Sequence, residues 1–118
     1  MIFQTLLERV KKAEADFEDV IAYVNDHYEY TPTRFSNGAG ASPVINAAGS
    51  NEGSCRLFAL AALKGLSEAD TVQLFGRFYR EDVLKHPDAG DHANIRRFMR
   101  DGWAGLHFDG VALVARED

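Results

Sequence analysis

The only cysteine of the 118-residue chain, Cys55, sits where residues 49–54, GSNEGS, give way to the apolar run LFALAAL. If Ser50 or Asn51 caps a helix there, Cys55 falls in its first turn or just beyond, where unpaired amides and the helix dipole favour a thiolate. His92, followed by Asn94 near another helix start, supplies a base, and Glu52 supplies a carboxylate. Cys55, His92 and Glu52 together describe a small cysteine-dependent hydrolase or transferase. The competing reading puts Cys55 on one helix face with Phe58, Ala59, Ala62 and Leu66, as a small core residue of the kind cysteine often is.

The amides of Gly53, Ser54 and Cys55 also make a candidate anion cradle. Glu52 opposes it, because a carboxylate at the first helical position occupies the positive end and stabilises the helix by about 0.3–1 kcal/mol. No GxxxxGK[ST] phosphate loop is present.

A second constellation is polar and aromatic. Tyr30, Arg34 and Phe35 open a loop of Asn, Ser, Gly and Pro that carries Asn37, Asn46 and Asn51 before reaching Glu52 and Ser54, with Asn94 expected nearby. Side chains of this mixture, on a long loop beside a buried helix start, suit a pocket that reads a small polar molecule or a peptide. Its premise is that the Gly53 end of the helix opens into a structured hydrophilic recess. The stretch HPDAGDH gathers His86, Asp88, Asp91 and His92, but Asp91 is wanted as a helix cap, and no HExxH, CxxC or calcium-loop spacing occurs. No metal and no cofactor are expected.

These residues need elements to hold them. Phe3, Leu6, Leu7 and Val10 mark a first amphipathic helix. Asp16 caps a second, with a stripe of Phe17, Val20, Ile21, Val24 and Tyr28 that Pro32 ends. Asn37-Gly38 is a turn signal with short strands expected at residues 33–36 and 44–47. The third helix, about residues 53–64, is apolar nearly all round and therefore central. Gly65 closes it. Ser67 and Asp70 open a fourth that runs on through Val83, where Gly76 lets another element approach. Asp91 caps a fifth bearing Ile95, Phe98 and Met99. Asp109-Gly110 then joins two apolar runs as a C-terminal hairpin.

The balance of 18 Asp and Glu against 13 Lys and Arg, a net charge of -5, repels phosphate backbones, so nucleic acid is not an expected partner. The longest uninterrupted apolar run, residues 57–63, is far below the roughly 20 residues of a bilayer span, so no membrane partner is expected. One cysteine makes no internal disulfide, and the first residues lack the pattern of a signal peptide.

The stretches YTPTRFSNG, NEGSCRLFALA, LFGRFYREDVL, DHANIRRFM and GWAGLHFDGVAL, in that order, resemble the HopJ family, whose founding members were described as bacterial type III effectors. The resemblance implies a delivery route rather than a reaction. Type III cargo ordinarily begins with a Ser-rich, acid-poor segment, whereas this chain carries Glu8, Glu14, Asp16, Glu18 and Asp19 early, so a resident cytoplasmic protein is the expectation. The chain is expected to be one α+β, mainly helical domain over residues 1–118. About five helices surround a central apolar helix, with a small C-terminal β-hairpin. Its expected function is binding of a small molecule or of a peptide or protein, with catalysis by Cys55 and His92 as the alternative.

Overall fold

A computed structural model describes residues 2–116. Helix α1, Phe3–Lys11, buries Phe3, Leu6, Leu7 and Val10. Helix α2, Phe17–His27, begins at Asp16 with a reciprocal cap: the Phe17 amide donates to Asp16 Oδ1 at 2.8 Å, and the Asp16 amide donates to Asp19 Oδ2 at 2.8 Å. The chain leaves this helix earlier than the sequence predicts. Tyr28 is already extended (φ -136°, ψ 151°) and opens strand β1, Tyr28–Tyr30. The reason is a distant partner, since β1 pairs antiparallel with β5, Leu113–Ala115, with Tyr28 opposite Ala115 and Tyr30 opposite Leu113.

Strands β2, Phe35–Asn37, and β3, Val44–Asn46, form an antiparallel pair with Phe35 opposite Asn46, and Asn37, read as a turn residue, is instead paired with Val44. On the other side of β2 lies β4, Leu106–Phe108, again antiparallel, with Phe35 opposite Phe108. The predicted C-terminal hairpin is corrected here: both of its strands exist, but β4 joins β2 and β5 joins β1. Asp109-Gly110 links two sheets. An isolated hairpin is marginal in water, whereas each strand here gains a ladder partner and core contact. The Phe35 and Phe108 rings stack 5.2 Å apart, and the Asp109 amide donates to the Arg34 carbonyl at 3.0 Å.

Helix α3, Glu52–Lys64, is the centre, with Leu57, Phe58, Leu60 and Ala61 fully buried. The Phe58 ring lies 5.0 Å from Phe98, 5.3 Å from Phe75 and 6.1 Å from Phe35, so one side chain ties three other parts of the chain together. Such aromatic pairs add about 0.5–1.5 kcal/mol beyond buried area. Gly65, at φ 65°, stops the helix.

Ser67 caps α4, Glu68–Gln73, by accepting from the Asp70 amide at 3.1 Å. The expected long fourth helix is interrupted. Gly76 takes φ +59°, and a Cβ there would collide with Asp16 Oδ1 and lie 2.8 Å from the Phe17 amide. After this break the chain resumes as a π-helical turn, Phe78–Val83. Helix α5, Ala93–Asp101, begins one residue past the predicted cap: the N-cap is His92, not Asp91. Asp91 is engaged elsewhere, accepting from the Arg96 guanidinium at 2.6 Å. A 3₁₀ turn, Gly102–Gly105, leads into β4. The fold is α+β and mainly helical. Among the described residues no helix is long and apolar enough to cross a membrane.

Candidate functional site

Helices α3 and α5 begin beside one cavity of about 370 Å³. Both start from a non-glycine residue in the left-handed region, Asn51 (φ 51°, ψ 47°) and His92 (φ 51°, ψ 49°), and neither side chain caps its own helix. Such backbone costs on the order of 1–3 kcal/mol and persists only where surrounding structure enforces it. Four asparagines supply that enforcement. Asn46 Oδ1 accepts from Asn51 Nδ2 at 2.6 Å and from Asn94 Nδ2 at 2.8 Å. Asn94 Oδ1 in turn accepts from Asn46 Nδ2 and Asn37 Nδ2, each at 3.1 Å. Strands β2 and β3 are thereby tied to the first turns of α3 and α5.

The apolar side of the cavity is formed by Phe17, Phe75 and Phe78, with Phe17 5.1 Å from Phe78 and 6.3 Å from Phe75. Gly53 sits directly against this surface, since a Cβ there would lie 2.8 Å from Phe17 Cζ. Ser54, Asn51, Ala93, Asn94 and His92 supply the remaining polar and backbone edge. The His92 ring packs 5.1 Å from Phe78, and its Nε2 lies 2.8 Å from Asp82 Oδ2 and 3.8 Å from Asp91 Oδ2. The Arg96 guanidinium, hydrogen-bonded to Asp91, holds that carboxyl below its ordinary range.

Cys55 lies on the other side of the α3 start. It is 1% exposed, its thiol donates to the Thr33 carbonyl at 3.6 Å, and burial pushes its pKa up. Tyr30 lies beside it. Burial raises the Tyr30 hydroxyl to about 12, with the charges of Cys55 and Glu52 adding to the effect. The Arg56 guanidinium covers the Tyr30 ring at 3.8 Å. The thiol meets Thr33 while His92 meets Asp82, so the structure does not join Cys55 and His92 in one hydrogen-bonded pair.

Of the residues expected to bind a ligand, Asn51, Ser54 and Asn94 line the cavity, as does His92. Asn37 and Asn46 are fully buried in its supporting wall. Phe35 is fully buried in the core. Arg34 lies away from the cavity and pairs with Asp109 at 2.9 Å. Tyr30 and Glu52 belong to the Cys55 side. From the HPDAGDH cluster, Asp91 and His92 come together, but their third member is Asp82 rather than His86 or Asp88. Sequence reasoning missed Asp82 and the three phenylalanines. The phenylalanines carried a signal, apolar spacing, which reads equally well as ordinary core.

The fold has a solved counterpart. A structure described as "Crystal structure of unknown function protein VPA0580" superposes with a TM-score of 0.87 at 42% identity, covering 98% of this chain and 95% of that one. No curated protein matches the chain. The model of the family described as "HopJ type III effector protein" matches residues 3–113, nearly the whole length, and the chain therefore belongs to the HopJ family.

Proposed function

We propose that the chain is a non-catalytic binding module that takes a small molecule in the cavity between the starts of α3 and α5. The observation that carries this reading is the cavity itself: about 370 Å³, within the usual range for small-ligand sites, with an aromatic surface and a few polar groups at one edge. Two helix starts without side-chain caps leave backbone amide donors at that edge, and their dipoles favour a negative group. Glu52, whose carboxylate argued against an anion, is not among the cavity-lining residues. The favoured ligand is therefore a small carboxylate or phosphate with an apolar body.

The catalytic alternative has less behind it, because a deeply buried thiol with a raised pKa is a poor nucleophile at neutral pH. We take the cytoplasm as the place of work, since a single buried free thiol calls for no oxidising compartment.

The test is a thermal-shift and NMR titration screen of aryl and alkyl carboxylates and phosphates. A ligand at 100 times its Kd adds about 2.7 kcal/mol. Binding is expected to vanish in Ala93→Trp, which fills the mouth from an exposed position. Absence of any shift across the anion set, or a hit that Ala93→Trp leaves intact, defeats the reading.

A further inference from the structure

Beside the cavity, three side chains from separate backbone positions converge. Asp82 comes from the π-helical turn, Asp91 from the following loop and His92 from the left-handed start of α5. One donor atom from each of the three lies within 4.8 Å of the other two. We propose that Asp82, Asp91 and His92 bind one first-row divalent transition-metal ion of the zinc, cobalt or nickel type.

The distances fit. Metal–ligand bonds of about 2.0–2.2 Å put neighbouring donors on one ion about 3–3.5 Å apart. His92 Nε2 stands 2.8 Å from Asp82 Oδ2 and 3.8 Å from Asp91 Oδ2, so small rotations place all three at bonding distance. On binding, the ion takes the place of the hydrogen bond between His92 Nε2 and Asp82 Oδ2.

The cluster is held in a way that loose surface acids are not. Asp91 divides its carboxylate: Oδ1 accepts from Arg96 Nη2 at 2.6 Å while Oδ2 is directed at His92. The same guanidinium donates to the carbonyls of Asp82 at 3.2 Å, His86 at 2.8 Å and Asp91 at 2.6 Å, pinning the π-helical turn and the loop together. Hydrogen bonding of a ligating carboxylate by an outer group is what fixes its orientation at metal sites. Two carboxylates against one guanidinium leave the site net negative.

The donor set selects the class of ion. A neutral imidazole with two carboxylates suits borderline transition metals, whereas calcium and magnesium prefer oxygen alone. Three protein donors leave at least one position for water or an exchangeable ligand. The inference does not depend on the small-molecule reading, although His92 belongs to both places.

The experiment is titration of the full chain, stripped with chelator, with Co²⁺ followed by visible absorption and with Zn²⁺ by calorimetry. One ion per chain is expected. Asp82→Asn and His92→Asn should each weaken binding at least tenfold; asparagine is chosen at 92 because it tolerates the left-handed backbone there. His86→Asn and Asp88→Asn should leave affinity within twofold. Circular dichroism melts verify that each variant is folded; the Asp82 side chain is half-exposed. Non-saturating uptake, or one-site binding unchanged in folded His92→Asn and Asp82→Asn, overturns the proposal.

Discussion

Asn94 Nδ2 donates to Asn46 Oδ1 at 2.8 Å across 48 residues of chain, joining the first turn of α5 to strand β3 inside the protein. Asn46 is 1% exposed and Asn94 7%. Removing the shared acceptor strands the buried amide donor of Asn94 and leaves its partners a cavity, and a buried unsatisfied group costs about 1–3 kcal/mol. Asn46→Ala is therefore expected to lose about 2–4 kcal/mol in urea unfolding, with no change in m-value. Asn51→Ala, at an exposed position, should lose about 1 kcal/mol or less.

Gly76 and Asp16 are coupled. Gly76→Ala needs positive φ and drives its methyl into the carboxylate that caps α2. We expect a loss above about 2 kcal/mol, from strain and a lost cap together. A double-mutant cycle with Asp16→Ala should show the two losses adding to much less than their sum. Full additivity would refute the coupling.

Acid should weaken the same junction. Burial works against the charged Asp16, but hydrogen bonds from the Arg77 and Phe17 amides and from the Arg77 guanidinium outweigh it, so its pKa lies below the ordinary 3.8. The Arg77 hydrogen bond likewise holds Glu18 below 4.5. Since both folded values are depressed, their stabilisation is complete above the ordinary values and disappears as pH falls through the lower folded ones. Urea midpoints measured downward from about pH 5 should fall steeply below about pH 4, and less steeply in Arg77→Gln.

Alkali should weaken the other side of α3. Burial raises the folded Cys55 thiol above its ordinary 9.0 and Tyr30 to about 12. A raised folded pKa stabilises fully below the unfolded value and loses that contribution as pH rises toward the folded one. Stability should therefore decline above about pH 9, and Cys55→Ala should flatten that decline. Iodoacetamide at neutral pH should modify Cys55 only at the rate of unfolding. Rapid alkylation of the native protein would instead revive the nucleophile reading.

Several features were legible without coordinates because they depend on neighbours in sequence. Asp16 and Ser67 cap α2 and α4, and Gly65 ends α3, as local hydrogen-bond chemistry dictates. The apolar run at residues 57–63 called for a central helix, and residues 57–61 are buried with Phe58 in the core, while Ala62 and Leu63 are exposed. The turn signal put short strands near residues 33–36 and 44–47, and β2 and β3 fall at Phe35–Asn37 and Val44–Asn46, with Asn37 paired to Val44 inside the ladder rather than in the turn. Of the polar loop read as a ligand region, Asn51, with Ser54 just beyond it, lines the cavity, while Asn37 and Asn46 lie buried behind it.

What the amino-acid sequence determined by itself was thus the existence of the helices, the caps at Asp16 and Ser67, the stop at Gly65 and the central place of α3, since a helix satisfies its backbone within one segment. Tertiary structure alone decided the strand partners, for β4 and β5 meet β2 and β1 rather than each other. It also decided that Arg34 meets Asp109, that His92 rather than Asp91 begins α5, and that Asp82 stands beside His92. A strand's hydrogen bonds and a long side chain's charge are satisfied by whatever the fold brings near, and that choice depends on packing contributed by the whole chain.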